Sequence, residues 1–157
     1  MTFTLSTPIG PLTVELEDDL VVSTMFDVDE TPARSRHPVA VALRDYFDGE
    51  VTAIDAIEVS IPGDGFRARA QRALRDIPPG RTISYAQLAI AAGSANATRA
   101  AGTACATNPV GLIVPCHRVL RTGGGIGGYA GGLDRKRWLL EHERSHVAGG
   151  ASAAAMF

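Results

Sequence analysis

A chain of 157 residues, 45% of them apolar, holds enough hydrophobic surface for one good core or two small ones. No charged-then-apolar leader opens it, and its longest apolar runs, such as residues 110–114, are far too short to cross a bilayer; the expectation is a soluble cytoplasmic protein with no membrane partner. Two cysteines, Cys105 and Cys116, exclude a disulfide framework, and the net charge of −2 conceals an asymmetry: residues 1–61 carry 3 Arg against 12 Asp and Glu (net −9), while residues 62–157 carry 12 Lys and Arg against 5 Asp and Glu (net +7). A sign change of this size suggests two domains, the second facing a polyanion, although two solvated surfaces of drifting composition give the same count.

The first segment reads as strands. Residues 3–6 run into Pro8-Ile9-Gly10-Pro11, which is turn chemistry. Leu12, Val14 and Leu16 then alternate with period two, and Asp18-Asp19 turns the chain into a third strand over residues 20–26. Residues 27–37 are polar, contain Pro32 and form a loop. Val39, Leu43, Tyr46 and Phe47 share a helical stripe that Gly49 ends, and residues 54–61 read as one more strand.

Pro62-Gly63-Asp64-Gly65 marks a boundary, after which the period becomes helical. Phe66, Ala70, Ala73, Leu74 and Ile77 form one stripe, Arg67, Arg69, Arg72 and Arg75 lie elsewhere, and Pro78-Pro79-Gly80 stops the helix. Ser84 and Gln87 have the spacing of a capping box. Gly93 ends that helix, Ser94 or Asn96 caps the next, which runs to about Thr107, and Asn108-Pro109 terminates it. Two short helices across a Gly-containing turn make a helix-turn-helix. Residues 110–114 are an apolar extended run into Pro115-Cys116-His117-Arg118, residues 123–132 form a loop with seven glycines, and Asp134 caps a last helix through Arg144. The expectation is an α+β chain: a small N-terminal α/β domain with an antiparallel sheet (residues 1–62), a mostly helical C-terminal domain with a winged helix-turn-helix (residues 63–147), and a disordered Ala-, Gly- and Ser-rich tail (residues 148–157).

Cys116 beside His117 is the first candidate for chemistry. The thiolate is the nucleophile, so a reactive thiol needs a base or a positive field. Adjacency alone does not join them, because neighbours in extended chain point to opposite faces, and both cysteines fit equally well as small buried hydrophobes. The helix around residues 95–106 is built of small side chains, with Arg99 as its only long one. Small residues let a helix backbone approach a narrow groove, about 6 Å wide in the minor groove of DNA; they equally permit close packing inside a core. Arg99 suits either the gap left by an extruded base or a plain phosphate contact. Gly123, Gly125 and Gly128 fit a dinucleotide-binding spacing, but Tyr129-Ala130-Gly131-Gly132 cannot open the helix that such a site requires. His142 and His146 have a zinc-compatible spacing with too few partners, and residues 1–61 hold one His and no Cys, so no metal and no cofactor are expected.

Several segments together resemble one family. Pro115-Cys116-His117-Arg118-Val119 is similar to the active-site motif of the O6-alkylguanine-DNA alkyltransferases, also called methylated-DNA–protein-cysteine methyltransferases. Ile83-Ser84-Tyr85, Arg99-Ala100-Ala101-Gly102, Asn108-Pro109, Gly128-Tyr129-Ala130-Gly131-Gly132-Leu133 and Trp138-Leu139-Leu140-Glu141-His142-Glu143 fit in the same order, with a looser match at residues 7–12 and 46–50. The resemblance implies single-turnover transfer of an alkyl group from O6-alkylguanine, and from O4-alkylthymine, in double-stranded DNA to Cys116. His117 would take the thiol proton through a water, Glu143 would hold His117, and Tyr85 would donate to the departing guanine. Arg99, Ala100, Gly102, Thr103, Asn108 and Arg118 would meet DNA through the minor groove, with Asn108 also bracing the turn before Cys116. Tyr129, Ala130, Gly131 and Val119 would line the base pocket. Gln71 stands where the family often carries an aromatic residue, and Ala130 where many members carry a hydroxyl. The partner expected is alkylated duplex DNA, bound by a monomer; clustering of copies along DNA stays open. Two other classes compete: a non-catalytic helix-turn-helix or lesion-sensing DNA binder, which would lack a working acceptor, and a Cys-His-Glu hydrolase, which would turn over.

Overall fold

The computed structural model of the chain describes residues 1–147; the tail expected over residues 148–157 lies outside the described residues. Strands β1 (Thr2–Leu5), β2 (Leu12–Glu17) and β3 (Leu20–Phe26) form an antiparallel sheet in that order, with Leu5 opposite Leu12 and Leu12 opposite Phe26. The period-two pattern of β2 does what it predicts: Leu12, Val14 and Leu16 are buried while Glu15 and Glu17 face outward. Asp18 and Asp19 both take positive φ, 51° and 64°, the paired left-handed conformation that a two-residue hairpin with right-handed twist requires.

Helix α1 (Pro38–Phe47) begins with proline in its first turn, is capped by His37 Nδ1 on the Val39 amide at 3.1 Å, and buries Val39, Ala40, Leu43 and Tyr46. The strand expected over residues 54–61 is absent. A single 3-10 turn, Ala53–Ala56, stands there, followed by one parallel bridge between Val59 and Val21. Ile54 and Ile57 are buried as the pattern required, but the spacing of three belongs to a 3-10 turn and not to a pleat.

Helix α2 (Phe66–Leu74) ends short of Pro78. Its arginines are engaged with backbone carbonyls: Arg72 with Ile61, Arg75 with Ile57 and Ile113, Arg69 with Ala92 and Arg67 with Thr107, at 2.8–2.9 Å. Part of the positive excess of this half therefore ties the molecule together and is not spent on a polyanion. Strand β4 (Ile83–Ser84) leads into α3 (Tyr85–Ala91) through a full capping box, with Ser84 accepting from the Gln87 amide and Gln87 accepting from the Ser84 amide. Helix α4 (Thr98–Ala106) completes the helix-turn-helix. Neither Ser94 nor Asn96 caps it; Ala97 occupies the cap without a side-chain bond. Ala101, Ala104 and Cys105 face inward, while Arg99, Ala100, Thr103 and Ala106 are exposed. The small residues thus serve both roles open in the sequence. Gln71 is buried and its amide donates to the Ala104 carbonyl at 3.2 Å, filling the α2–α4 seam with a polar group that is satisfied.

Residues 110–114 are not an extended run. They make a tight turn in which the Val114 amide donates to the Val110 carbonyl and Leu112 adopts φ 74°. An unbroken apolar run has no period, so a buried turn and a buried strand look alike. β3 anchors this turn: the Thr24 amide donates to the Pro109 carbonyl (2.9 Å) and Thr24 Oγ1 to the Gly111 carbonyl (2.8 Å). A 3-10 turn (Cys116–Arg118) follows, then β5 (Val119–Leu120), parallel to β4. The last helix, α5 (Leu133–His146), is preceded by Gly132 at φ 95°; Asp134 lies inside its first turn and does not cap it. The apolar core is one cluster drawn from both halves, from Leu5 to Leu139. Among the described residues no helix is long and apolar enough to cross a membrane. Replacing Ser84 by Ala should cost about 1 kcal/mol, a fall of roughly 3 °C in Tm readable by thermal unfolding.

Candidate active site

The 3-10 turn at Cys116–Arg118 buries three successive side chains. Two of them converge on one carboxylate. Glu143 Oε2 lies 2.8 Å from His117 Nε2, and Arg118 closes a fork on the same group, Nε to Oε1 and Nη2 to Oε2, both at 2.8 Å. Tyr46 of α1 donates its hydroxyl to Glu143 Oε2 at 2.7 Å. Arg118 Nη1 spends its remaining reach on the Ile77 carbonyl at 2.6 Å. Arg118 was expected at the DNA surface; at 2% exposure it belongs to the interior, because only a buried guanidinium balances the buried Glu143 charge.

This cluster sets the state of His117. Burial favours the neutral ring and lowers its affinity for a proton, with Glu143 pulling the other way. Burial likewise opposes ionisation of Glu143, but His117 and Arg118 outweigh it and hold the carboxyl well below the usual range. An ionised carboxylate only accepts, so Nε2 must carry the ring hydrogen and Nδ1 keeps its lone pair. Among the described residues Nδ1 is the one buried side-chain nitrogen or oxygen without a hydrogen-bond partner.

Cys116 stands where two cavities meet. One, of about 330 Å³, is walled by Tyr85, Gly102, Cys105, Cys116, Tyr129 and Ala130. The other, of about 550 Å³, opens between β3 and the glycine loop and shares Cys105, Cys116, Tyr129 and Ala130 with the first. Burial pushes the Cys116 thiol up, while the Asn108 side-chain amide and Lys136 draw it partway back. The resting group is a thiol, and it needs a base. The Tyr129 ring stands edge-on to His117 at 6.3 Å. Tyr85 packs against Gly127, where a Cβ would fall 2.7 Å from the phenolic oxygen and where φ is 71°. Only glycine fits there.

Of the residues singled out in the sequence, His117 and Glu143 are joined by a hydrogen bond, and Cys116, Tyr85, Gly102, Tyr129 and Ala130 wall the smaller cavity. Gly131 borders the larger one. Arg99, Ala100 and Thr103 lie on the exposed face of α4. Asn108, expected at the DNA, has its amide committed to the turn, donating to the Val114 carbonyl (2.9 Å) and accepting from the Val110 amide (3.0 Å). Val119 is fully buried in β5 and borders neither cavity, because its strand pairs with β4 beneath the site. Sequence reasoning missed three residues. Tyr46 looked like one more apolar position on α1. Cys105 looked like a core residue. Lys136 had a signal that went unused: it is the one lysine among 15 Lys and Arg residues. Fully buried, its Nζ donates to the carbonyls of Val119 (2.8 Å) and Gly128 (3.0 Å) and stands 6.0 Å from the Tyr85 ring. Burial lowers its proton affinity, and the two thiols oppose that.

Among the described residues no three His, Cys, Asp or Glu side chains stand together as metal ligands, and His142 Nε2 is held by the Tyr46 carbonyl at 2.7 Å. Glu143 and His117 both bind protons more weakly folded than unfolded. Their contribution to stability is therefore present at neutral pH and is lost on acidification, through His117 below about pH 6.5 and then through Glu143 below about pH 4.3. Thermal unfolding between pH 7.5 and about 2.5 should show Tm falling over that range, and Glu143→Gln should flatten the part below about pH 4.3.

With this geometry in hand, comparison with known proteins gives one answer. Residues 65–145 match the family described as 6-O-methylguanine DNA methyltransferase, DNA binding domain. A methylated-DNA–protein-cysteine methyltransferase of Mycolicibacterium paratuberculosis is 43% identical over 91% of this chain and 92% of its own length. The enzyme of the same name from Salmonella typhimurium is 46% identical over 64% of this chain and 59% of its own. The crystal structure of Mycobacterium tuberculosis OGT in complex with DNA superposes with a TM-score of 0.83 at 35% identity, covering 97% of this chain and 98% of that one. The chain belongs to the 6-O-methylguanine DNA methyltransferase family.

Proposed function

We propose that this protein repairs DNA by moving the alkyl group of O6-alkylguanine, and of O4-alkylthymine, onto Cys116, once per molecule. The observation that carries the reading is the unpartnered Nδ1 of a neutral, carboxylate-held His117, next in sequence to a thiol on the wall of a base-sized cavity.

Residues 63–147 act as the DNA-binding and catalytic unit and residues 1–62 as its buttress, in a monomer working in the cytoplasm, where both thiols stay reduced. The exposed face of α4, made of Ala100, Thr103 and Ala106, is shallow enough to approach the floor of the minor groove. Arg99, exposed at the start of the same helix, fills the place of the extruded nucleotide, whose base enters the 330 Å³ cavity. His117 Nδ1 takes the Cys116 proton through a water, and the imidazolium formed is stabilised by Glu143. Sulfur attacks the alkyl carbon in line: the S–C bond forms, the C–O6 bond breaks, and its electron pair passes into the purine. Tyr85 hands its phenolic proton to the departing guanine. Lys136, close beside Tyr85, steadies the negative charge that appears first on sulfur and then on the phenol. The thioether product is inert to water, so the protein is consumed.

Incubation with duplex DNA bearing O6-methylguanine should add one methyl group to the Cys116 peptide by mass. Cys116→Ala should abolish transfer and keep lesion binding, and His117→Ala should slow transfer by about 10²–10⁴-fold. A wild-type protein left unmodified by the lesion would end the proposal. Arg99→Ala should slow transfer on duplex much more than on free O6-methylguanine, and duplex affinity should fall as salt rises; stopped-flow transfer rates and titrations at several ionic strengths check both.

A further inference from the structure

The transfer chemistry leaves one nucleophile idle. Cys105 lies on the inward side of α4, 8% exposed, and Cys116 is 6% exposed. Both are free thiols, both border the 330 Å³ cavity, and both border the 550 Å³ cavity. They are close enough for charge on one to be felt by the other. Burial first, then Cys116, raises the Cys105 thiol to about 12, and both thiols influence Tyr85 and Lys136.

A simple alkyl group finishes its chemistry as a thioether. A group whose far carbon bears a leaving group does not. Once a chloroethyl group is on Cys116, the thioether sulfur displaces chloride from within and closes a three-membered sulfonium ring, itself an alkylating agent. We propose that Cys105 is a second acceptor, which captures such bifunctional groups by closing an intramolecular dithioether with Cys116. The Cys105 sulfur forms a bond to one ring carbon. The bond from that carbon to the Cys116 sulfonium breaks, and its electron pair returns to Cys116 as a neutral thioether. Held neutral by burial, Cys105 attacks as the thiol and its proton passes to solvent once the new S–C bond has formed; chloride has already been released, and no oxidant or reductant is consumed.

The two-carbon spacer matters. A direct disulfide needs Cα atoms within about 7 Å and a narrow dihedral, and it needs an oxidant; an ethylene bridge relaxes the geometry and needs none. A thiol fixed on the same cavity wall also has a high local concentration compared with a nucleophile arriving from solution. Its two competitors are water, which would leave a hydroxyethyl group on Cys116, and the bound DNA, which would become cross-linked to the protein. Capture by Cys105 prevents the second outcome. The inference rests on the alkyl-transfer reading, and the test separates the two.

Two duplexes are offered to the intact protein, one with O6-ethylguanine and one with freshly prepared O6-chloroethylguanine. Both cysteines fall in one tryptic peptide, residues 100–118, between Arg99 and Arg118. The ethyl lesion should place one ethyl group on Cys116 and leave Cys105 open to iodoacetamide after unfolding. The chloroethyl lesion should give the same peptide with an ethylene unit replacing both thiol hydrogens, no iodoacetamide uptake, and no backbone fragments released between the two cysteines. Ethyl transfer together with hydroxyethyl-Cys116 and a free Cys105, or with DNA covalently held by Cys116, overturns the proposal and leaves alkyl transfer standing. Absence of ethyl on Cys116 overturns both.

Discussion

The buried carboxylate of Glu143 is the point on which the site hangs. It is 1% exposed and takes hydrogen bonds from Tyr46, from His117 and twice from Arg118. An anion removed from water at this depth is tolerable only when so many donors face it. The same contacts tie together three distant parts of the chain: α1, the turn carrying Cys116, and α5. Because Arg118 already balances the charge, His117 can remain neutral, and because Glu143 only accepts, the tautomer of His117 is decided. Removing any one donor would both loosen the joint between the segments and change the proton inventory beside the sulfur.

The elements that the sequence announced well are those with a period or a cap: the alternation in β2, the hairpin at Asp18-Asp19, and the Ser84–Gln87 box. The apolar run at residues 110–114 and the segment 54–61 were misread because burial without a period does not say whether the chain is extended or turning. The pairing of His117 with Glu143 was legible through the family resemblance. Its supports were not. Arg118 reads as one more basic residue in a basic half, and only the structure shows it turned inward. Tyr46 sits 97 residues from Glu143 in sequence, and no local pattern joins them.

The charge asymmetry between the halves is real, but its use is divided. Arg67, Arg69, Arg72 and Arg75 cap carbonyls in the segment of Ile57 and Ile61 and along the helix-turn-helix, and Arg135 clasps Asp27 while donating to the Ile9 carbonyl at 2.8 Å. The acidic segment is thus more than a passive counterweight. Through Arg135 and through Thr24 it holds the glycine loop and the Asn108–Gly111 turn, two of the walls of the 550 Å³ cavity beside Cys116.

The solitary lysine has a consequence for how this surface can be altered. Lys136 is sealed beneath the glycine loop with its ammonium on two carbonyls, so every exposed side-chain cation is a guanidinium or an imidazole. Acetyl transfer to lysine, the common covalent means of weakening a protein's hold on nucleic acid, finds no side-chain amine on the outside of the folded protein. Apart from the α-amino group of Met1, acylating reagents find no amine to attack until the fold opens. Acylation at Lys136 would therefore report local unfolding at the floor of the cavity.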